Sequence, residues 1–161
     1  MAVYGAGMSQ LKPGDPAPSF ELQDQSGRPV RLEDYRGRKL LVYFYPKADT
    51  PGCTTQSCSV RDHLGDFETL GTAAVGISPD VPGKQAKFDT KYSLGFPLLS
   101  DADHAVAEAY GVWGERSMYG KKYMGIVRSA FLIDEDGTIA GAWYKVSPGD
   151  TVPNALAALA S

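Results

Sequence analysis

The stretch Lys39–Tyr45 reads Lys-Leu-Leu-Val-Tyr-Phe-Tyr, a near-continuous apolar run closed by Pro46. A strand of this composition is buried on both faces and therefore needs cover on both sides, which points to helices packed over a sheet. Two further runs repeat the signal, at Thr72–Ile77 and at Arg128–Ile133. Helical patterns separate them, so the chain is expected to be an α/β fold with a central sheet of mixed direction flanked by helices.

The remaining elements follow from local signals. Ser19–Leu22 and Val30–Leu32 alternate in polarity around Asp24-Gln25-Ser26-Gly27, which predicts an N-terminal hairpin. After Pro46, Thr50 is suited to be a helix N-cap, and Pro51 then occupies the first helical position, where proline is favoured. One helix is expected from there to about Leu70. A helix over Val81–Tyr92, a short strand near Pro97–Leu99 and a helix at His104–Tyr110 closed by Gly111 come next. Gly111–Gly125, rich in glycine, aromatics and lysine, is expected to be an ordered loop or flap. Asp134-Glu135-Asp136-Gly137 turns the third buried strand into Thr138–Tyr144, and Val152–Ala160 is a short terminal helix.

Composition narrows the function. The 161 residues carry 16 basic and 19 acidic side chains, a net charge of −3, and no basic face of the kind that nucleic acid requires. No apolar stretch approaches the roughly 20 residues of a membrane helix. Met1–Gln10 lacks the charged and apolar regions of a secretory signal, and Met8 offers a second start. We expect a cytoplasmic protein with residues 1–10 as a flexible extension and 11–161 as one domain.

Two cysteines do not make a disulfide framework, but Cys53 and Cys58 lie five residues apart, and a cytosolic pair that close is reactive or metal-binding more often than structural. Their bland alternative is two small apolar side chains packed in a core helix. Position favours chemistry for Cys53. In the first turn of a helix, a thiol meets unpaired N–H groups and the positive end of the helix dipole, which favour the nucleophilic thiolate. Zinc is poorly served, because only His63 and His104 add soft ligands and no second cysteine pair exists.

Around that cysteine runs Pro46-Lys47-Ala48-Asp49-Thr50-Pro51-Gly52-Cys53, a Pro-x-x-x-Thr-x-x-Cys string. With Tyr43-Phe44-Tyr45-Pro46, Cys53-Thr54-Thr55-Gln56-Ser57-Cys58, Leu99-Ser100-Asp101 and Arg128-Ser129-Ala130-Phe131, the chain resembles the peroxiredoxins, specifically the bacterioferritin-comigratory or Q-type group, over residues 11–158. The resemblance implies a thioredoxin-like fold. It assigns the peroxidatic nucleophile to Cys53, the resolving cysteine to Cys58, and supporting roles to Thr50, Arg128 and Pro46. It further implies a peroxidase acting on hydrogen peroxide and organic hydroperoxides, with a thioredoxin or similar dithiol as reductant, no cofactor, no nucleic-acid or membrane partner, and a monomeric state. Read without it, Thr50 is a plain N-cap and Arg128 a strand-edge cation. Many members carry Glu where this chain has Gln56, which cannot form an ion pair, so Gln56 is left outside the catalytic set.

The chemistry suits these residue types. Arg128 keeps its charge and offers several planar donors to a thiolate and to peroxide oxygens. The Thr50 hydroxyl both donates and accepts, as a hydroperoxide does, while Pro46 excludes water by shape. A redox-sensing or disulfide-exchange protein built on the same pair is the alternative, although disulfide oxidoreductases usually carry Cys-x-x-Cys. Elsewhere, Asp134–Gly137 is read as a turn rather than a calcium loop, Asp101 as a helix cap and His63 as solvated. Trp113, Tyr119 and Tyr123 are candidate walls of the site, with core or loop packing as the equal alternative.

Overall fold

The computed structural model describes residues 10–160. The expected extension therefore lies, apart from Gln10, outside the described residues. The first strands, β1 (Glu21–Gln23) and β2 (Pro29–Arg31), pair antiparallel as the expected hairpin, with Leu22 opposite Val30. Next comes β3 (Lys39–Phe44), which leads through a short loop into α1 (Pro51–Asp62) and α2 (Leu64–Thr69). Then β4 (Thr72–Ser78), α3 (Pro82–Tyr92), β5 (Leu98–Ser100) and α4 (Ala105–Ala109) follow in turn. A ribbon of β6 (Trp113–Met118) and β7 (Lys121–Ile126) precedes β8 (Ser129–Ile133), β9 (Ile139–Trp143) and the final helix α5 (Thr151–Leu159).

Seven strands form one sheet in the order β2-β1-β5-β4-β3-β8-β9. The strands β3, β4 and β5 run parallel, whereas β8 is antiparallel to β3 and β9 to β8. This is the mixed sheet expected, and its double burial is visible residue by residue in β3. Leu40, Val42 and Phe44 enter one core with Val75, Ile77, Tyr110 and Phe131, which α4 helps to cover through Ala107. Leu41, Tyr43 and Tyr45 enter the other with Val60 of α1, Phe67 of α2, Phe88 of α3 and Ala155 of α5. Each of the leucine, valine, isoleucine and phenylalanine side chains among them gains on the order of 1.5–3 kcal/mol by leaving water. The end of β3 is thus held from both sides where it meets the Pro46–Thr50 loop.

The structure corrects two expectations. The single helix to Leu70 is two, broken at His63, whose φ of −115° and ψ of 11° are not helical. Its ring Nδ1 lies 2.9 Å from the carbonyl of Ser59, the acceptor four residues back that a continuing helix offers to the His63 amide. That amide bonds Val60 instead. The ring takes the place of the backbone, and the helix stops there. Gly111–Gly125 is likewise no loop: most of it is the antiparallel β6–β7 ribbon, with Trp113 opposite Ile126 and Met118 opposite Lys121. Its two-residue turn, Tyr119-Gly120, has positive φ at both positions (52° and 78°), the geometry of a tight hairpin turn. Tyrosine is a poor signal for such a turn, where Asn-Gly is the usual one.

Candidate active site

The site is assembled where the carboxyl end of β3 meets the start of α1. Pro46 follows the strand, and the loop after it is anchored at two points. The amide of Ala48 donates to Asp80 Oδ2 at 2.7 Å, and Ser78 Oγ donates to the same oxygen at 2.7 Å. Asp49 takes a left-handed φ of 61°, and its carboxylate accepts from Lys91 Nζ at 3.0 Å and from Tyr92 Oη at 2.9 Å. Those two donors, Lys91 foremost, hold the Asp49 carboxyl below its ordinary range. The loop thereby delivers Thr50 as the N-cap residue of α1, with Pro51 in the first turn as expected.

Thr50 caps by position only. Its hydroxyl makes no cap bond and donates instead to the carbonyl of Lys47 at 2.8 Å, keeping its acceptor lone pairs for another group. The first-turn N–H groups are thus not taken up by the Thr50 side chain. Cys53 sits in that turn, fully buried and unpaired as a thiol.

Arg128 reaches it from the start of β8, on the sheet face that also carries Ala130. It stands between β7 and β8, and its carbonyl accepts from the amide of Val146 at 2.9 Å, fixing its backbone. Nη1 lies 3.4 Å from Cys53 Sγ and donates to Gln56 Oε1 at 2.8 Å. Gln56, fully buried on α1, donates in turn to Thr151 Oγ1 at 2.9 Å. The guanidinium also passes over Gly52: a Cβ there would fall 2.9 Å from Arg128 Nη2, closer than such atoms pack. Glycine at 52 leaves the arginine room to lie against the first turn of α1. Behind it, Tyr43 shares a 2.7 Å hydrogen bond with Ser57 Oγ, and full burial raises its phenol far above the ordinary range, so it stays neutral.

A cavity of about 500 Å³ opens onto this corner, lined by Pro46, Lys47 and Thr50 on one side and by Trp113, Tyr123, Met124 and Ile126 of the ribbon on the other. Its exposed lining is mainly apolar. Of the expected aromatic walls, Trp113 and Tyr123 are in place, and His104 stacks on Trp113 with ring centroids 3.8 Å apart. Tyr119 is not: it is the ribbon tip, 98% exposed.

A family model described as the AhpC/TSA family matches residues 13–142. A protein of Mycobacterium tuberculosis named as a putative peroxiredoxin is 56% identical over 138 residues, covering 86% of this chain and 88% of its own length. Peroxiredoxin Bcp of Escherichia coli is 54% identical over 132 residues, 82% and 85% of the two chains. Among solved structures, the bacterioferritin comigratory protein of Xanthomonas campestris superposes with a TM-score of 0.82 at 37% identity, over 88% of this chain and 90% of that one.

The chain belongs to the peroxiredoxin family, in its bacterioferritin-comigratory, Q-type group. Its sheet and flanking helices are the thioredoxin-like peroxiredoxin fold, and it is a thiol peroxidase. Among its described residues, no helix is long and apolar enough to cross a membrane.

In this peroxiredoxin the structure brings Cys53 and Arg128 together and sets Thr50 and Pro46 in the wall of the adjoining cavity. Cys58 stays apart. It is half-buried in the same unbroken α1, also as a free thiol. The sequence reading left Gln56 outside the catalytic set, and the structure sets it against Arg128. A neutral amide cannot pair as an ion, yet its carbonyl oxygen accepts a hydrogen bond from Arg128. Also missed were Asp49, Asp80, Lys91 and Tyr92, which hold the loop. The one signal for them was Ser78-Pro79-Asp80, a turn sequence at a strand end.

Proposed function

We propose that this peroxiredoxin reduces hydrogen peroxide and organic hydroperoxides, with Cys53 as the nucleophile, Cys58 as the resolving thiol and a cytoplasmic thioredoxin or similar dithiol as reductant. The observation that carries the reading is the 3.4 Å contact of Arg128 Nη1 with Cys53 Sγ at the N-terminus of α1. The Cys53 thiolate attacks one peroxide oxygen and the O–O bond breaks. The departing oxygen takes up a proton and leaves as water or alcohol, and Cys53 is left as a sulfenic acid. Sulfur loses the two electrons that the O–O bond gains. Arg128 and the first-turn amides meet the negative charge on the departing oxygen, while Thr50 Oγ1 accepts from the hydroperoxide O–H. The apolar cavity beside Thr50 suits an alkyl substituent, and the Xanthomonas relative is described by its alkyl peroxide reduction activity.

In the second half-reaction, the Cys58 thiol displaces hydroxide from the sulfenic sulfur, giving a Cys53–Cys58 disulfide and water. Residues five apart in an intact helix have Cα atoms about 8.5–9 Å apart. A disulfide spans no more than about 7 Å without backbone movement. The first turns of α1 therefore unwind in each cycle, which also exposes the disulfide to a reductant. The chain acts as a monomer in this reading. A steady-state assay with thioredoxin, comparing hydrogen peroxide with a bulky hydroperoxide, tests it. Fast catalytic turnover of both is expected; slow, stoichiometric oxidation would contradict it and favour a redox switch.

A further inference from the structure

Gln56 and Thr151 are both fully buried polar side chains, and the reaction as written uses neither. Arg128 can only donate hydrogen bonds, so it orients the Gln56 amide with Oε1 toward Nη1 and leaves Nε2 pointing the other way. There the acceptor is Thr151 Oγ1, at the first position of α5. Nη1 carries two hydrogens, and its two neighbours are Gln56 Oε1 and Cys53 Sγ. Fixing the direction of one N–H bond fixes the other.

We propose that Thr151 is a positioning residue for peroxide reduction, acting through Gln56 to hold Arg128 Nη1 on Cys53 Sγ. The inference rests on the reading of Arg128 given above. Without the Thr151 hydroxyl, Gln56 Nε2 becomes a buried donor with no acceptor, a state costly enough to swing the amide away. Swinging it withdraws Oε1 from the guanidinium, which is then free to leave the sulfur. The hydroxyl matters for its lone pairs, so serine can replace it and valine, of nearly the same shape, cannot.

The test is the single-turnover rate of Cys53 oxidation by hydrogen peroxide in the full chain. Thr151→Val is expected to slow it about 5- to 10-fold, the net worth of one hydrogen bond. Thr151→Ser restores the rate of the parent chain. In an Arg128→Met background, Thr151→Val causes no further loss. Gln56→Met removes the donor itself, so adding Thr151→Val to Gln56→Met must leave the rate of that variant unchanged; nothing is stranded there, and this comparison holds even if Thr151→Val alone does not fold. An equal slowing by Thr151→Ser, or a further loss in either background, overturns the proposal. If Arg128→Met itself leaves the rate unchanged, the role of Arg128 falls instead.

Discussion

The strand β8 and the ribbon β6–β7 are neighbours in sequence and opposites in environment. All five residues of β8 are buried, with Ala130 and Phe131 in opposite cores. In the ribbon only Ile126 is buried, while Met118, Tyr119, Tyr123 and Met124 are exposed. Arg128 stands at the joint between them. The difference separates two tasks. In the proposed reaction, the buried strand fixes where the guanidinium starts beside the reacting sulfur, and the exposed ribbon shapes who enters without carrying the fold. If this division is right, substitutions on the two sides have different signatures.

The largest effect belongs to the sulfur that the fixed side serves. Cys53→Ser removes turnover while thermal unfolding stays cooperative; near-normal peroxidase activity in that variant would sink the assignment. At the joint, Arg128→Met lowers the peroxide-dependent rate by roughly 10²–10³, by analogy with loss of a donor aimed at developing oxyanion charge. Arg128→Lys does not restore it, because an ammonium cannot face Gln56 Oε1 and Cys53 Sγ with one planar group.

Deeper in the fixed side, Phe131→Ala opens a hole beside Phe44, Tyr110 and Tyr144, whose rings lie 5.2–5.9 Å from its own. It is expected to cost about 3–5 kcal/mol in a denaturant titration. On the ribbon, Tyr123→Ala leaves stability within about 0.5 kcal/mol. It raises KM for a bulky hydroperoxide roughly 3- to 10-fold, since part of an apolar wall is lost, and leaves hydrogen peroxide kinetics unchanged. A ribbon variant that unfolds the protein, or one that slows both peroxides alike, would erase the distinction.

The smallest effect is in pH. Burial raises the phenols of Tyr43 and Tyr45 above their ordinary value, so the folded chain keeps protons that the unfolded chain releases above about pH 10. Their contribution to stability is whole below that pH and is lost as pH rises through the folded values. Stability should fall above about pH 10, and less steeply in Tyr43→Phe.

The same division explains what the sequence made legible. Lys39–Tyr45 and Arg128–Ile133 announce themselves because double burial demands unbroken apolar composition, and Thr50-Pro51 marks the start of α1 through backbone chemistry that is purely local. The ribbon imposes no such demand. With both faces largely wet, its residues show no alternation, and Tyr119 in a left-handed turn residue's place hides the hairpin. Gln56 escaped because its partners, Arg128 and Thr151, are 72 and 95 residues away and meet it only once the sheet is built. The loop anchors Asp49 and Lys91 are hidden by the same kind of separation, 42 residues.

The proposed resolution step also asks something of α1 that the sheet never has to do. Folded, it puts Cys53 at its N-terminus beside Arg128; to let Cys58 reach that sulfur it must come apart. Amide hydrogen exchange over residues 54–61, measured on the dithiol and disulfide forms of the full chain, tests this most directly. Protection across that segment should be strong in the dithiol form and lost in the disulfide form, while β3 and β8 stay protected in both. Equal protection of residues 54–61 in the two forms would mean that Cys53 and Cys58 do not resolve each other.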